Sequence, residues 1–131
     1  MRVERERVAR RYSEAVEAAG IADLVELPEL PASDEVHAWH LYPLRLNLDR
    51  LPIGRAAVID RLGEAGIGAS VHFIPLHLHP YYRRTYGYEP GDLPVAAREY
   101  EREISLPIFP ELGDDEVDYI VESLADILRP D

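Results

Sequence analysis

A chain of 131 residues has the size of one domain and can bury a single hydrophobic core. Its 47% hydrophobic content is that of an ordinary globular protein, and a formal charge of −11 leaves no basic stripe for nucleic acid or an anionic membrane. It has no cysteine, which excludes a disulfide framework and a thiolate nucleophile, and all fourteen basic side chains are arginine, so no lysine can form a Schiff base.

Residues 2–19 read as a helix, with Val8, Tyr12 and Val16 four apart, joined by Ala9, Ala15 and Ala19, and with Gly20 placed to end it. Its Met1–Arg11 portion is a mixed-charge run without the apolar segment of a secretory signal, and no apolar run approaches the ~20 residues that span a bilayer. A cytoplasmic protein is expected. A Pro-punctuated connector follows, from Leu27 to Glu35. Ala38 to Leu48 alternates through Trp39, Leu41, Leu44, Leu46 and Leu48 as a strand, interrupted or bulged near Pro43.

Helical period returns over 52–65, with Ile53, Ala56, Ala57, Ile59 and Leu62 on one side and Gly66 as the stop. Ile67 to Ile74 reads as a second strand and 80–88 as a short helical turn and loop. Pro94 starts another helix through Glu103, and Ile104 to Ile108 forms a third strand. Asp114 or Asp115 caps a last helix through Val117, Ile120, Val121, Leu124 and Ile127, ended by Pro130. The alternation predicts an α/β fold: a small two-layer sandwich of three strands with helices on one face. Residues 1–35 form an entering helix and connector, and 36–131 the α/β domain proper. The expected core joins Trp39 or Leu41, Leu44 or Leu46, Ile59, Leu62, Val71, Phe73, Ile104, Leu106, Ile120 and Leu124.

Chemistry-bearing residues concentrate between Val71 and Tyr82, where His72, His77 and His79 lie among Pro75, Pro80, Tyr81 and Tyr82. Loops at strand ends commonly present such groups. His40 and Tyr42, two apart on the first strand, share a face by strand periodicity. Each of these residues also has a plain structural reading, as a packed or backbone-bonded group. The spacing His72-x4-His77-x-His79, with His37 and His40, raises the question of metal. Pro75 and Pro80 break the helical geometry that would pair the rings, and no carboxylate is close in sequence to His77 and His79, so no metal is expected. Arg83 and Arg84 among Tyr81, Tyr82, Tyr86 and Tyr88 read either as a phosphate or stacking patch or as a solvated helix end with core-packed tyrosines. Asp114, Asp115 and Glu116 suit the start of a helix better than catalysis.

Six stretches, in order, resemble the C-terminal domain of the DegT/DnrJ/EryC1/StrS family of pyridoxal-phosphate-dependent sugar aminotransferases. They are Ala38-Trp39-His40-Leu41-Tyr42, Glu64-Ala65-Gly66-Ile67, His72-Phe73-Ile74-Pro75-Leu76-His77 with Pro80-Tyr81-Tyr82, Pro94-Val95-Ala96, Ser105-Leu106-Pro107-Ile108-Phe109-Pro110, and the acidic-capped final helix. The likeness runs over nearly the whole chain. It departs at Phe73, where the family often has tyrosine, so a hydroxyl role at that position is lost.

The resemblance implies a chain about three times as long, of two domains, and a homodimer with active sites at the subunit boundary. Pyridoxal phosphate, its lysine and the aspartate beneath its ring would belong to the large domain, and no cofactor is expected on this chain alone. The implied reaction moves an amino group from glutamate to a nucleotide-linked keto-sugar, with the cofactor as electron sink. By the same likeness His72, His77, Tyr42 and His40 are substrate-binding candidates, none is catalytic, and the chain alone is inactive. The competing expectation is a free-standing, non-catalytic binding or regulatory module that kept this fold.

Overall fold

The computed structural model describes residues 1–32 and 34–129. The stop expected at Pro130 lies outside them. Helix α1 (Arg2–Ala18) and helix α5 (Asp114–Leu128) pack against each other. The reason is in their patterns: Val8, Ala9, Tyr12, Ala15 and Val16 make one stripe, and Val117, Ile120, Val121, Leu124, Ile127 and Leu128 make the facing one. At the rim, Arg7 and Arg11 of α1 pair with Asp114 and Asp118 of α5. The cap of α5 is Gly113, whose N–H is accepted by Glu116 at 2.8 Å, while Asp114 and Asp115 occupy the first turn, where the helix dipole favours them.

Helix α2 (Arg55–Glu64) buries Val58 and Leu62 against this layer, with Ile59 only half-buried. It ends where expected. Gly66, at φ 76°, adopts the left-handed conformation that lets the Ile67 N–H reach back to Leu62 O at 2.8 Å. The Tyr119 hydroxyl then ties α5 to the end of α2 by donating to Ala65 O at 2.9 Å.

The sheet is antiparallel, in the order β1 (Val25–Glu26), β2 (Tyr42–Leu46), β3 (Glu103–Leu106). Val25 pairs with Leu46 and Glu26 with Arg45; on the other side Tyr42, Pro43, Leu44 and Arg45 face Leu106, Ser105, Ile104 and Glu103. Tyr42, Leu44, Leu46, Ile104 and Leu106 point into the helical layer and are buried. Pro43 survives in the central strand for a definable reason. Its partner Ser105 turns both backbone groups toward Ser70 (2.7 and 3.1 Å), and β1 reaches only to Arg45, so no ladder bond needs the missing N–H.

Two readings from the sequence need correction. The strand expected over Ile67–Ile74 is a single bridge, Ser70 to Ser105, flanked by irregular chain. Its apolar alternation faces the core only at its start: Ile67 is buried, but Val71 is 42% and Phe73 96% exposed. The third strand is instead the two-residue β1, too short to show any period, just before the connector. The remaining elements are short helix α3 (Pro80–Tyr86) and helix α4 (Pro94–Arg102), both started by proline. Contacts from α4 reach β2 on the side of the sheet that carries Pro43 and Arg45. Helix α1 contributes Val8, Tyr12 and Val16 to the same core cluster as the sheet, and β1 belongs to that sheet.

Candidate functional site

The groove on the second face of the sheet, about 290 Å³, is floored by Pro43, Arg45 and Glu103 and walled by Tyr100 of α4 and the His72-Phe73 loop. The loop is held by backbone, not by core packing. Ser70 is bridged to β3, the His72 N–H is 3.3 Å from Glu103 Oε2, and the Leu78 and His79 N–H groups close on Pro75 O and Leu76 O at 2.8 and 3.1 Å. His79 fixes the turn further, its Nε2 lying 3.1 Å from Ile74 O. A loop so pinned presents its side chains with little ordering left to do.

The four sequence candidates do not share one surface. His72 stands at the groove with half its side chain exposed. His77, on the turn Leu76–Leu78, is 3% exposed, and its Nε2 has no hydrogen-bond partner among the described residues. Tyr42 is fully buried beneath α1, stacked on Tyr12 with ring centroids 4.6 Å apart. Burial pushes its phenol up to about 12, and no partner in hydrogen-bonding geometry for its hydroxyl occurs among the described residues. Tyr42, expected to share a face with His40 as a substrate-binding candidate, points instead into the core. His40 is exposed but precedes the strand.

The chain bends at His40 before β2 begins at Tyr42, so the two-residue periodicity expected to link them does not hold. Just ahead of the bend, Trp39 adopts φ 47°, a left-handed conformation that costs a bulky residue strain; the residue is 1% exposed, and His37 Nδ1 accepts its backbone N–H at 3.0 Å. No group of three or more His, Cys, Asp or Glu that could hold a metal ion occurs among the described residues.

Next to the groove lies an ion cluster that sequence reading missed. Arg45 pairs with Glu26 (3.0 Å) and Glu99 (2.9 Å), and Arg102 pairs with the same two carboxylates at 2.8 and 2.9 Å. The hydrogen bond from Arg102 holds the Glu26 carboxyl below its ordinary range. Glu103, only 6% exposed, was missed as well. The available signal was a carboxylate two residues before Ser105 on an otherwise apolar strand, which strand alternation places on the groove face.

From Val71 to Val95 the chain shows an apolar surface. Phe73, Leu76, Tyr81, Tyr86 and Val95 are all more than half exposed. The tyrosines of α3 pack on one another, with Tyr82 and Tyr86 stacked 6.0 Å apart, and not on the core. Arg83 is engaged by Glu89 at 3.1 Å. Exposed apolar side chains gathered along one stretch of chain form the kind of surface that commonly serves interaction.

The DegT/DnrJ/EryC1/StrS aminotransferase family model matches residues 1–125, and the chain belongs to that family. It is 49% identical over 128 residues to an uncharacterised protein of Methanocaldococcus jannaschii and 39% identical over 134 residues to the spore coat polysaccharide biosynthesis protein SpsC of Bacillus subtilis. Each alignment covers 98% of this chain and 32% of the relative. The fold matches a putative sugar aminotransferase of Streptococcus pneumoniae, solved in its PMP and PLP forms, with a TM-score of 0.80 at 28% identity, over 97% of this chain and 31% of that one. The chain thus spans about a third of the length of the proteins it matches, and its fold is that of the small C-terminal domain of fold-type-I aminotransferases.

Proposed function

We propose that this chain is the small domain of a sugar aminotransferase that works with a large, lysine-bearing cofactor domain in a homodimer. The reaction transfers an amino group from glutamate to a nucleotide-linked keto-sugar, in the cytoplasm. The observation that carries the reading is the pinned loop: His72 at a groove and Phe73 96% exposed beside it, on a chain matching a third of its relatives. Residues 1–35 would lead in from the large domain. The apolar surface between Val71 and Val95 would lie against that domain or the second subunit.

Pyridoxal phosphate supplies an electron sink for amino transfer when bound. The residues of this chain do not fit it by themselves. There is no lysine to anchor its aldehyde. What this chain contributes is binding and orientation. The His72 imidazole can donate to a phosphate oxygen or accept from a sugar hydroxyl, and Phe73 can cover the sugar's apolar face and keep water out. His40 stands exposed in reach of solvent, while His77 and Tyr42 support the loop and strand from within.

The chain alone is then catalytically silent. Incubation with pyridoxal phosphate followed by borohydride should leave no side-chain adduct, and turnover should appear only on assembly with the large domain. A stable side-chain adduct, or amino transfer by the isolated chain, would overturn the reading. A chain that never associates with such a domain yet binds a nucleotide sugar would instead be the binding module.

A further inference from the structure

Glu103 is an expensive residue to place where it is. Its side chain is 8% exposed, and a desolvated carboxylate normally sits on an arginine. One is at hand: Arg45 stands directly across the ladder from Glu103. Yet its guanidinium turns away to Glu26 and Glu99, and Arg102 does the same. Among the described residues, the Glu103 carboxylate is left with three neighbours, all belonging to the loop or to its bridge. Ser105 donates Oγ–H to Oε1 at 2.9 Å, the His72 N–H is 3.3 Å from Oε2, and His72 Nε2 is 3.9 Å from Oε1. Ser105 is itself the residue that bridges Ser70.

The geometry points to Glu103 as the positioning residue of His72: one oxygen holds the backbone of the histidine, the other faces its ring, and Ser105 fixes the carboxylate. The proposal deepens the functional reading above and rests on it, because orienting the ring matters where the ring receives a substrate. Removing the charge frees the imidazole without unfolding the domain, since the hydrophobic cluster lies on the other face of the sheet. Glu103→Gln keeps shape and an acceptor for the His72 N–H, whereas Glu103→Asp keeps charge but withdraws it by one methylene.

Nuclear magnetic resonance on the 131-residue chain tests this directly, from His72 ring contacts to Glu103 and Ser105 and from exchange of the His72 amide. The expected result is ring contacts in the native chain, their loss in Glu103→Gln with amide protection kept, and loss of both in Glu103→Asp, at unchanged melting temperature. Ring contacts absent from the native chain, or unchanged in both variants, overturn the proposal. In the assembled two-domain enzyme, Glu103→Gln should lower kcat/KM about tenfold, and adding it to His72→Ala should cost nothing further. Independent, multiplying losses overturn it. If His72→Ala leaves turnover intact while its ring still responds to Glu103→Gln, the functional reading fails and the positioning of the ring stands.

Discussion

The two faces of the sheet are built on opposite rules. Under α1, α2 and α5 every inward residue of β2 and β3 is apolar, and Tyr42, Leu44, Leu46, Ile104 and Leu62 are sealed from water. On the other face the same strands carry Arg45, Glu103 and Ser105, and the loop beside them turns Phe73, Leu76 and Val71 outward. Apolar side chains are thus abundant on both sides, but only one side has packed them. The lesson is that hydrophobicity marks what will be covered, not when or by what.

Substitutions can break this contrast, and the largest effect belongs to the sealed face. Leu62→Ala or Ile120→Ala should cost ~2–5 kcal/mol in a denaturant titration, because the vacated volume cannot be refilled by neighbours on two helices. A loss below about 1 kcal/mol would mean that the helices are not locked to the sheet.

Next comes alkali. The Tyr42 phenol is raised from 10.0 to about 12 by burial, and Tyr12, whose hydroxyl donates to Pro107 O at 2.8 Å, is raised as well, chiefly by burial. A raised acid binds its proton more tightly when folded, so this contribution is complete below pH 10 and is lost as pH rises toward 12. For Tyr42 the loss should be on the order of 2–3 kcal/mol. Ultraviolet titration should show these two tyrosines ionising only with unfolding. Early, non-cooperative ionisation of all eight would contradict the packing.

The smallest effects are expected on the open face. Phe73→Ser and His72→Ala should each shift the stability of this chain by less than about 0.5 kcal/mol, since neither ring is packed. The same changes should weaken assembly with the large domain (Phe73) and amino transfer (His72). If either destabilises the isolated chain by ~2 kcal/mol, that face is a second core and the contrast collapses.

Much of the sealed face could be read in advance. The periods of α1 and α5, the stop at Gly66 and the proline start of α4 are local signals, and the structure keeps them; α2 is a helix as expected but buries Val58 with Leu62, while Ala56 of the expected face is exposed. The open face could not be read the same way. Alternation over Ile67–Ile74 is the same pattern whether its apolar side meets a helix or another domain, so a strand was expected where there is one bridge. Val71 and Phe73 were assigned to the core for that reason. Tyr42 departs for a different reason: counting by two from His40 assumes an extended chain, and the chain bends at His40 before β2 begins. Glu103 and the Arg45–Glu26–Glu99–Arg102 cluster join residues up to 76 positions apart, which no window of sequence brings together. The histidine loop is legible in its composition and in its likeness to a family.

Pro43 has a consequence beyond its own strand. It offers no N–H along the stretch of β2 that β1 leaves uncovered, β1 itself is two residues long, and the far edge of β3 is taken by Ser70. Neither border of the sheet presents a run of free peptide groups onto which a second molecule could zip. With Phe73 and its apolar neighbours exposed, the domain is thereby guarded against amyloid-like stacking: copies that meet can touch through side chains but cannot extend one another's backbone ladder.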